Sequence, residues 1–185
     1  MQEYGPDPET LGLLGRLHKD RYCEEKEKGS FLASAALDES ISAYTRGFET
    51  DPRDYYPGIN AITLLIAKGD EESLEMAEKL APVVTFAVGR RGCISSDNYW
   101  DLATKLELYC IIKDWAPAEN TLKKMLLYKA KEPWMIKSTL RNLKMLSQAR
   151  IRQGHAVEEL QKIIFHFETH INQLDELMPK SFKML

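Results

Sequence analysis

The stretch Ala43–Ile66, AYTRGFETDPRDYYPGINAITLLI, decides the fold. Leu37, Ile41, Tyr44 and Phe48 run into and through it at spacings of four, three and four, which places them on one helical face. Asp51-Pro52 then stops that helix, because proline cannot donate the next backbone hydrogen bond. Another helix, the third of the chain, opens near Tyr56 and carries Ile59, Ile62 and Ile66 inward. Gly47 is small where a neighbouring helix can come close. Two apolar-faced helices joined by a tight turn predict stacked helical hairpins, since one hairpin alone cannot bury its apolar face.

Working outward, the same periodicity recurs along the chain and predicts about eight helices. The first covers Asp7–Tyr22, with Leu11, Leu14 and Leu17 as its apolar residues and Pro8 in its first turn. The charged segment EEKEKGS after it reads as a solvated loop or frayed helix end. The second helix covers Phe31–Thr50. Gly69 suits a C-cap and Asp70 an N-cap for the fourth, whose stripe is Ala77, Leu80, Ala81, Val84 and Val88. Pro82 inside that stripe predicts a kink or break near Leu80. GRRGCISS reads as a loop, with Asp97 capping a fifth helix that bears Tyr99, Leu102, Ala103, Leu106 and Tyr109. Ala118, Leu122 and Met125 mark a sixth helix after Lys113-Asp114. Pro133 opens a seventh with Ile136, Leu140 and Leu143, and Gly154 ends it. The eighth, His155–Leu177, turns Val157, Leu160, Ile164, Phe167 and Ile171 to one side.

The expected fold is therefore all-α: four antiparallel hairpins in a tetratricopeptide-like right-handed superhelix, approximating that repeat's ~34-residue period. The 185 residues suit a single domain, with two hairpins in 6–95 and two more in 96–180. Hydrophobic residues at 44% and charged residues at 29% are globular proportions. A net charge of -3 and a pI near 5.9 argue against a nucleic-acid partner, which needs a basic surface. No apolar run reaches the roughly 20 residues that span a bilayer. Cys23, Cys93 and Cys110 form no CxxC pair and read as reduced thiols, and the N-terminus lacks a signal-peptide pattern. These features point to a cytoplasmic protein.

Five blocks occur in order: Glu9–Arg16 (ETLGLLGR), Ala43–Pro52 (AYTRGFETDP), Gly58–Ile66 (GINAITLLI), Gly89–Gly92 (GRRG) and Asn98–Asp101 (NYWD). Together they resemble the TRAFs-binding region of the apoptosis signal-regulating kinases, which are mitogen-activated protein kinase kinase kinases, and its bacterial relatives. The resemblance covers Glu9–Asp101 best and is similar to the second part of that region. It implies a tetratricopeptide-like regulatory module that lies upstream of a kinase domain and takes part in assembly and adaptor binding. The kinase signatures GxGxxG, HRD and DFG do not occur in the chain, so the expectation is a non-catalytic module without cofactor. The start of the ETLG block at Glu9, close after Met1, suggests a fragment of a longer protein.

Each candidate site also has a packing role open to it. Arg90 and Arg91, between Gly89 and Gly92, could hold a phosphate or carboxylate, or a partner, through bidentate bonds. They could equally cap helix carbonyls. Cys93 beside them is a redox candidate or an ordinary loop thiol. His166 and His170 have zinc-like spacing but no third ligand. Asn98, Tyr99, Trp100 and Asp101 read as caps and packing residues, or as an exposed recognition patch. Solenoid geometry puts partner contacts on the first helix of each hairpin, which nominates Arg16, Lys19, Asn60, Thr63, Lys105 and Arg141. The expected function is a protein-interaction and regulatory scaffold in an intracellular signalling protein. The alternatives are an anion or small-ligand sensor built on Gly89–Gly92, and a self-associating scaffold, a homo-oligomer, using Leu174, Leu177 and Met178.

Overall fold

The computed structural model describes residues 7–91, 98–129 and 132–177. Among them are α1 (Pro8–Glu27), α2 (Leu32–Thr50), α3 (Tyr55–Lys68), α4 (Glu71–Arg91), α5 (Tyr99–Ile112), α6 (Trp115–Lys124), α7 (Pro133–Arg152) and α8 (Glu158–Leu177). A π-helical turn, Met125–Lys129, extends α6, and no strand occurs among the described residues. The all-α expectation holds. The chain divides into two compact units, Met1–Cys93 and Ile94–Leu185, each a pair of helical hairpins.

In the first unit α1 pairs with α2 and α3 with α4, while α2 packs on α3. Asp7 caps α1 by accepting from the Thr10 amide at 3.0 Å, with Pro8 in the first turn. The turn after α2 is built as its sequence suggests. The Asp51 amide closes α2 on Gly47 O, and the Asp54 carboxylate accepts from the Tyr56 amide at 3.1 Å to start α3. α3 is buried on almost every side, with Ala61, Ile62 and Leu64 fully so. Gly47 does sit at a close approach: a Cβ there would stand 3.3 Å from Leu11 Cβ and 3.4 Å from Pro57 Cβ.

Several expectations need correction. α1 buries Leu11, Gly12, Gly15, Lys19 and Tyr22, whereas Leu14 and Leu17 are 40% and 64% exposed. The two glycines face α2 and α3 because those neighbours come close enough to exclude a leucine: a Cβ on Gly15 would lie 2.7 Å from the Tyr44 ring. The charged segment continues α1 through Glu27, aided by strong helix formers, a Lys26–Tyr22 cation–π contact and the Lys28–Glu25 pair at 3.1 Å. α4 is helical from Glu71 to Arg91, so no break occurs at Pro82. Pro82 and Glu78 both lie on the solvent face, where the carbonyl that loses its donor is not sealed in the core. Gly89–Arg91 are therefore helix, not loop. The eighth helix starts at Glu158, because Gly154 takes φ +72° and the His155 amide returns to Arg150 O.

Gly69 C-caps α3 with φ 82°, and Asp70 opens α4 by accepting from the Ser73 amide at 2.9 Å. That amide holds the Asp70 carboxyl below the ordinary carboxylate range. Since the folded pKa is the lower one, the stabilisation is complete above the unfolded value of about 4 and is lost as pH falls through the folded value. Asp70→Asn keeps a capping oxygen. Thermal unfolding of that variant is expected to match wild type within a few degrees at neutral pH, and to lose less stability on acidification. An unchanged acid dependence would contradict this.

In the second unit α5 pairs with α6, α7 with α8, and α5 lies beside α7. Asn98, not Asp97, is the observed cap of α5, accepting from the Trp100 amide at 3.0 Å; Asp97 lies outside the described residues. α5 ends at Lys113, whose φ of 62° is left-handed, an uncommon conformation for a residue with a Cβ. Leu160, Ile163, Ile164 and Phe167 form the buried side of α8 against α7.

Candidate functional site

A polar seam binds α5 to α7. The Tyr99 hydroxyl meets Thr139 Oγ1 at 3.0 Å and Met135 O at 3.2 Å. Asn142 Nδ2 donates to the buried Glu107 carboxylate at 2.9 Å. Arg150 Nη2 donates to Cys110 O at 2.7 Å and to Ile111 O at 2.9 Å. Numbers rise together on both helices, so α5 and α7 run parallel, as the first helices of successive hairpins must. In the first unit Lys19 Nζ donates to Asn60 Oδ1 at 2.6 Å across α1 and α3, and Asn60 in turn donates to Tyr56 O.

These buried groups are arranged for structure. Burial pushes the Tyr99 hydroxyl far above its ordinary range, so it remains a neutral hydrogen-bond donor. The Cys110 thiol is pushed up to about 12 by burial, against the opposing pull of Arg150, and is an unreactive packing residue. Burial also lowers the Arg150 guanidinium from its usual value, yet arginine stays charged. Its charge is spent on the last carbonyls of α5 and lies over the Trp115 ring at 5.8 Å.

The nominated residues separate into surface and interior. Arg90 is exposed in the last turn of α4, with its guanidinium 6.0 Å from the Phe86 ring centre. The Arg91 side chain, Gly92 and Cys93 lie outside the described residues. Arg16 is exposed, whereas Lys19, Asn60 and Thr63 are buried at 3%, 4% and 2% exposure. The Thr63 hydroxyl is turned to Ile59 O. Lys105 and Arg141 are half-buried on α5 and α7. The fold thus joins Lys19 to Asn60 within the packing and sets Lys105 and Arg141 on adjacent parallel helices. His166 is exposed against Phe165, and no group of three His, Cys, Asp or Glu side chains suited to a metal occurs among the described residues. Leu174 is half-buried; the Leu177 side chain and Met178 lie outside the described residues.

The pairing of Trp100 with Trp134 follows from neither helix's own sequence. Tyr99 is buried, but the neighbouring Trp100 is half-exposed and packs on Trp134 at a ring separation of 5.7 Å. Trp134 is 57% exposed. Trp100 and Trp134 each stand second in their helix, so the parallel packing of α5 and α7 juxtaposes them. Equivalent positions of two hairpins were the signal available in the sequence.

No helix among the described residues is long and apolar enough to cross a membrane. The sequence profile of the MAP3K TRAFs-binding domain matches residues 1–170. Among curated proteins, the chain is similar to the mitogen-activated protein kinase kinase kinase nsy-1 of Caenorhabditis elegans, with 31% identity over 172 residues. That alignment takes in 90% of this chain and 11% of the worm protein. The match runs through both helical units and agrees with the ordered blocks and the all-α architecture. The chain belongs to the MAP3K TRAFs-binding domain family.

Proposed function

We infer that this chain is a non-catalytic protein-interaction and regulatory scaffold module of a cytoplasmic signalling protein, and that a TRAF protein is its partner. The observation that carries this is the family match across residues 1–170, which takes in the helices of both units. The geometry supports the same reading. The buried Lys19, Glu107, Asn142 and Arg150 side chains bond between helices, while the cations Arg16, Arg90, Lys105 and Arg141 have full or partial access to solvent. Interaction surfaces of helical repeats use such residues around aromatic anchors.

Calorimetric titration of the chain with the purified TRAF domain of a TRAF protein tests the proposal. Saturable binding with a defined stoichiometry is expected. Heats no larger than dilution, with this domain and with each member of a panel of other purified TRAF domains, would overturn the TRAF assignment.

A further inference from the structure

α1 turns a ridge of leucines to solvent. Leu13, Leu14 and Leu17 are exposed, Leu13 to 62%, while Leu11, Gly12 and Gly15 of the same helix are buried. The three leucines are the sixth, seventh and tenth residues of α1. The same places in the first helix of the next hairpin hold Asn60, Ala61 and Leu64 of α3, all buried, and Asn60 accepts the bond from Lys19 of α1. In α7 the seventh and tenth residues are Thr139 and Asn142, which bond back to Tyr99 and Glu107 of α5. In each unit these places are therefore where a first helix meets the hairpin before it. α1 presents them filled with leucine and open to water. A terminal helix of a stacked array needs a polar outer face. α8 meets that rule, with Glu158, Lys162, His166 and Asn172 exposed around Phe165. α1 does not.

A helix fits this ridge, because the equivalent places in both units take one. Head-to-tail stacking would bring α8 of another copy onto it, but α8 offers a polar face, and a head-to-tail contact adds copies without closing. α1 itself offers the matching surface. Turned antiparallel about the level of Gly15, two α1 helices set Leu13 of each copy against Leu17 of the other. Glu9, Arg16, Arg21 and Glu24, all exposed on α1, are two acids and two bases, so two copies meet there without net charge although the chain carries -3. We propose that the chain forms a twofold dimer through the leucine ridge of α1, each copy supplying the helix that the other's first hairpin lacks. Two single helices bury less than the roughly 1,200 Å² at which stable complexes begin, so the association is micromolar and reversible. The dimer goes beyond the interaction-module reading and does not depend on it.

Sedimentation velocity of the whole chain across micromolar concentrations is the test. The sedimentation coefficient is expected to climb with concentration from a monomer's value toward a dimer's. Leu17→Glu places a carboxylate in the apolar contact and should hold the monomer value throughout. Leu17→Met keeps the apolar surface and should keep the climb, and Phe165→Glu on α8 should leave it unchanged. Circular dichroism of Leu17→Glu should match wild type, because the side chain is exposed. Should that variant misfold, Leu13→Gln takes its place and should weaken the dimer severalfold. A monomer at every concentration would overturn the proposal. So would a dimer that survives Leu17→Glu, one that is lost with Phe165→Glu, or growth past the dimer. A monomeric wild type whose TRAF-domain binding is lost with Leu17→Glu would give the ridge to that partner instead of a second copy, and would leave the module reading in place.

Discussion

Replacing Tyr44 by alanine is expected to destabilise the first unit by about 3–5 kcal/mol, the range for deleting a large buried ring. Tyr44 is 1% exposed; its ring lies over Gly15 of α1 and meets the Tyr56 ring edge-on at 5.9 Å. Gly15→Ala makes the reciprocal error. An alanine gains up to about 1 kcal/mol of helix propensity, but its Cβ would fall 2.7 Å from both Cγ and Cδ1 of Tyr44. Overpacking of this kind costs about 1–3 kcal/mol or more, so the net effect is destabilising. In the double variant the new methyl enters space vacated by the ring. The combined loss should fall short of the sum by more than the roughly 0.5 kcal/mol within which independent sites add. Urea unfolding followed by circular dichroism measures all three; simple additivity would show that the Gly15–Tyr44 contact does not hold α1 to α2.

Arg150→Ala is expected to cost about 2–4 kcal/mol in the second unit, because it removes charged hydrogen bonds to two carbonyls. Those carbonyls, Cys110 O and Ile111 O, end α5 where the helix dipole is negative. The substitution also removes the cation over Trp115. Arg150→Met keeps much of the apolar stem and relieves the burial of a charge, so it should lose less than alanine does. The chain's three tryptophans, Trp100, Trp115 and Trp134, all fall in the second unit, and their fluorescence reports its unfolding. An alanine variant within about 0.5 kcal/mol of wild type would place Arg150 among ordinary surface substitutions and refute its role at the end of α5.

The elements were legible wherever a local rule sufficed. Asp51-Pro52 marked the turn, Gly69 the left-handed cap and Asp70 the following N-cap, since each acts on backbone groups within a few residues. Local rules misled where a neighbour decided the outcome. Leu14 and Leu17 look like core residues, yet the close approach of Tyr44 selects the glycine face of α1 instead. Pro82 looks like a breaker, yet its place on an exposed face lets α4 continue. Among the nominated contacts, Lys19, Asn60 and Thr63 bear the chemistry of a surface but lie in packed interiors.

The sequence by itself determined the fold class, the main turns and the family, because periodicity, caps and ordered blocks are properties of short spans of chain. Tertiary structure alone decided which polar residues face solvent and which two tryptophans meet. Trp100 and Trp134 are 34 positions apart in a chain whose local rules reach about one helical turn. Only the parallel packing of α5 on α7, fixed by the Tyr99, Asn142 and Arg150 bonds, brings their rings to 5.7 Å.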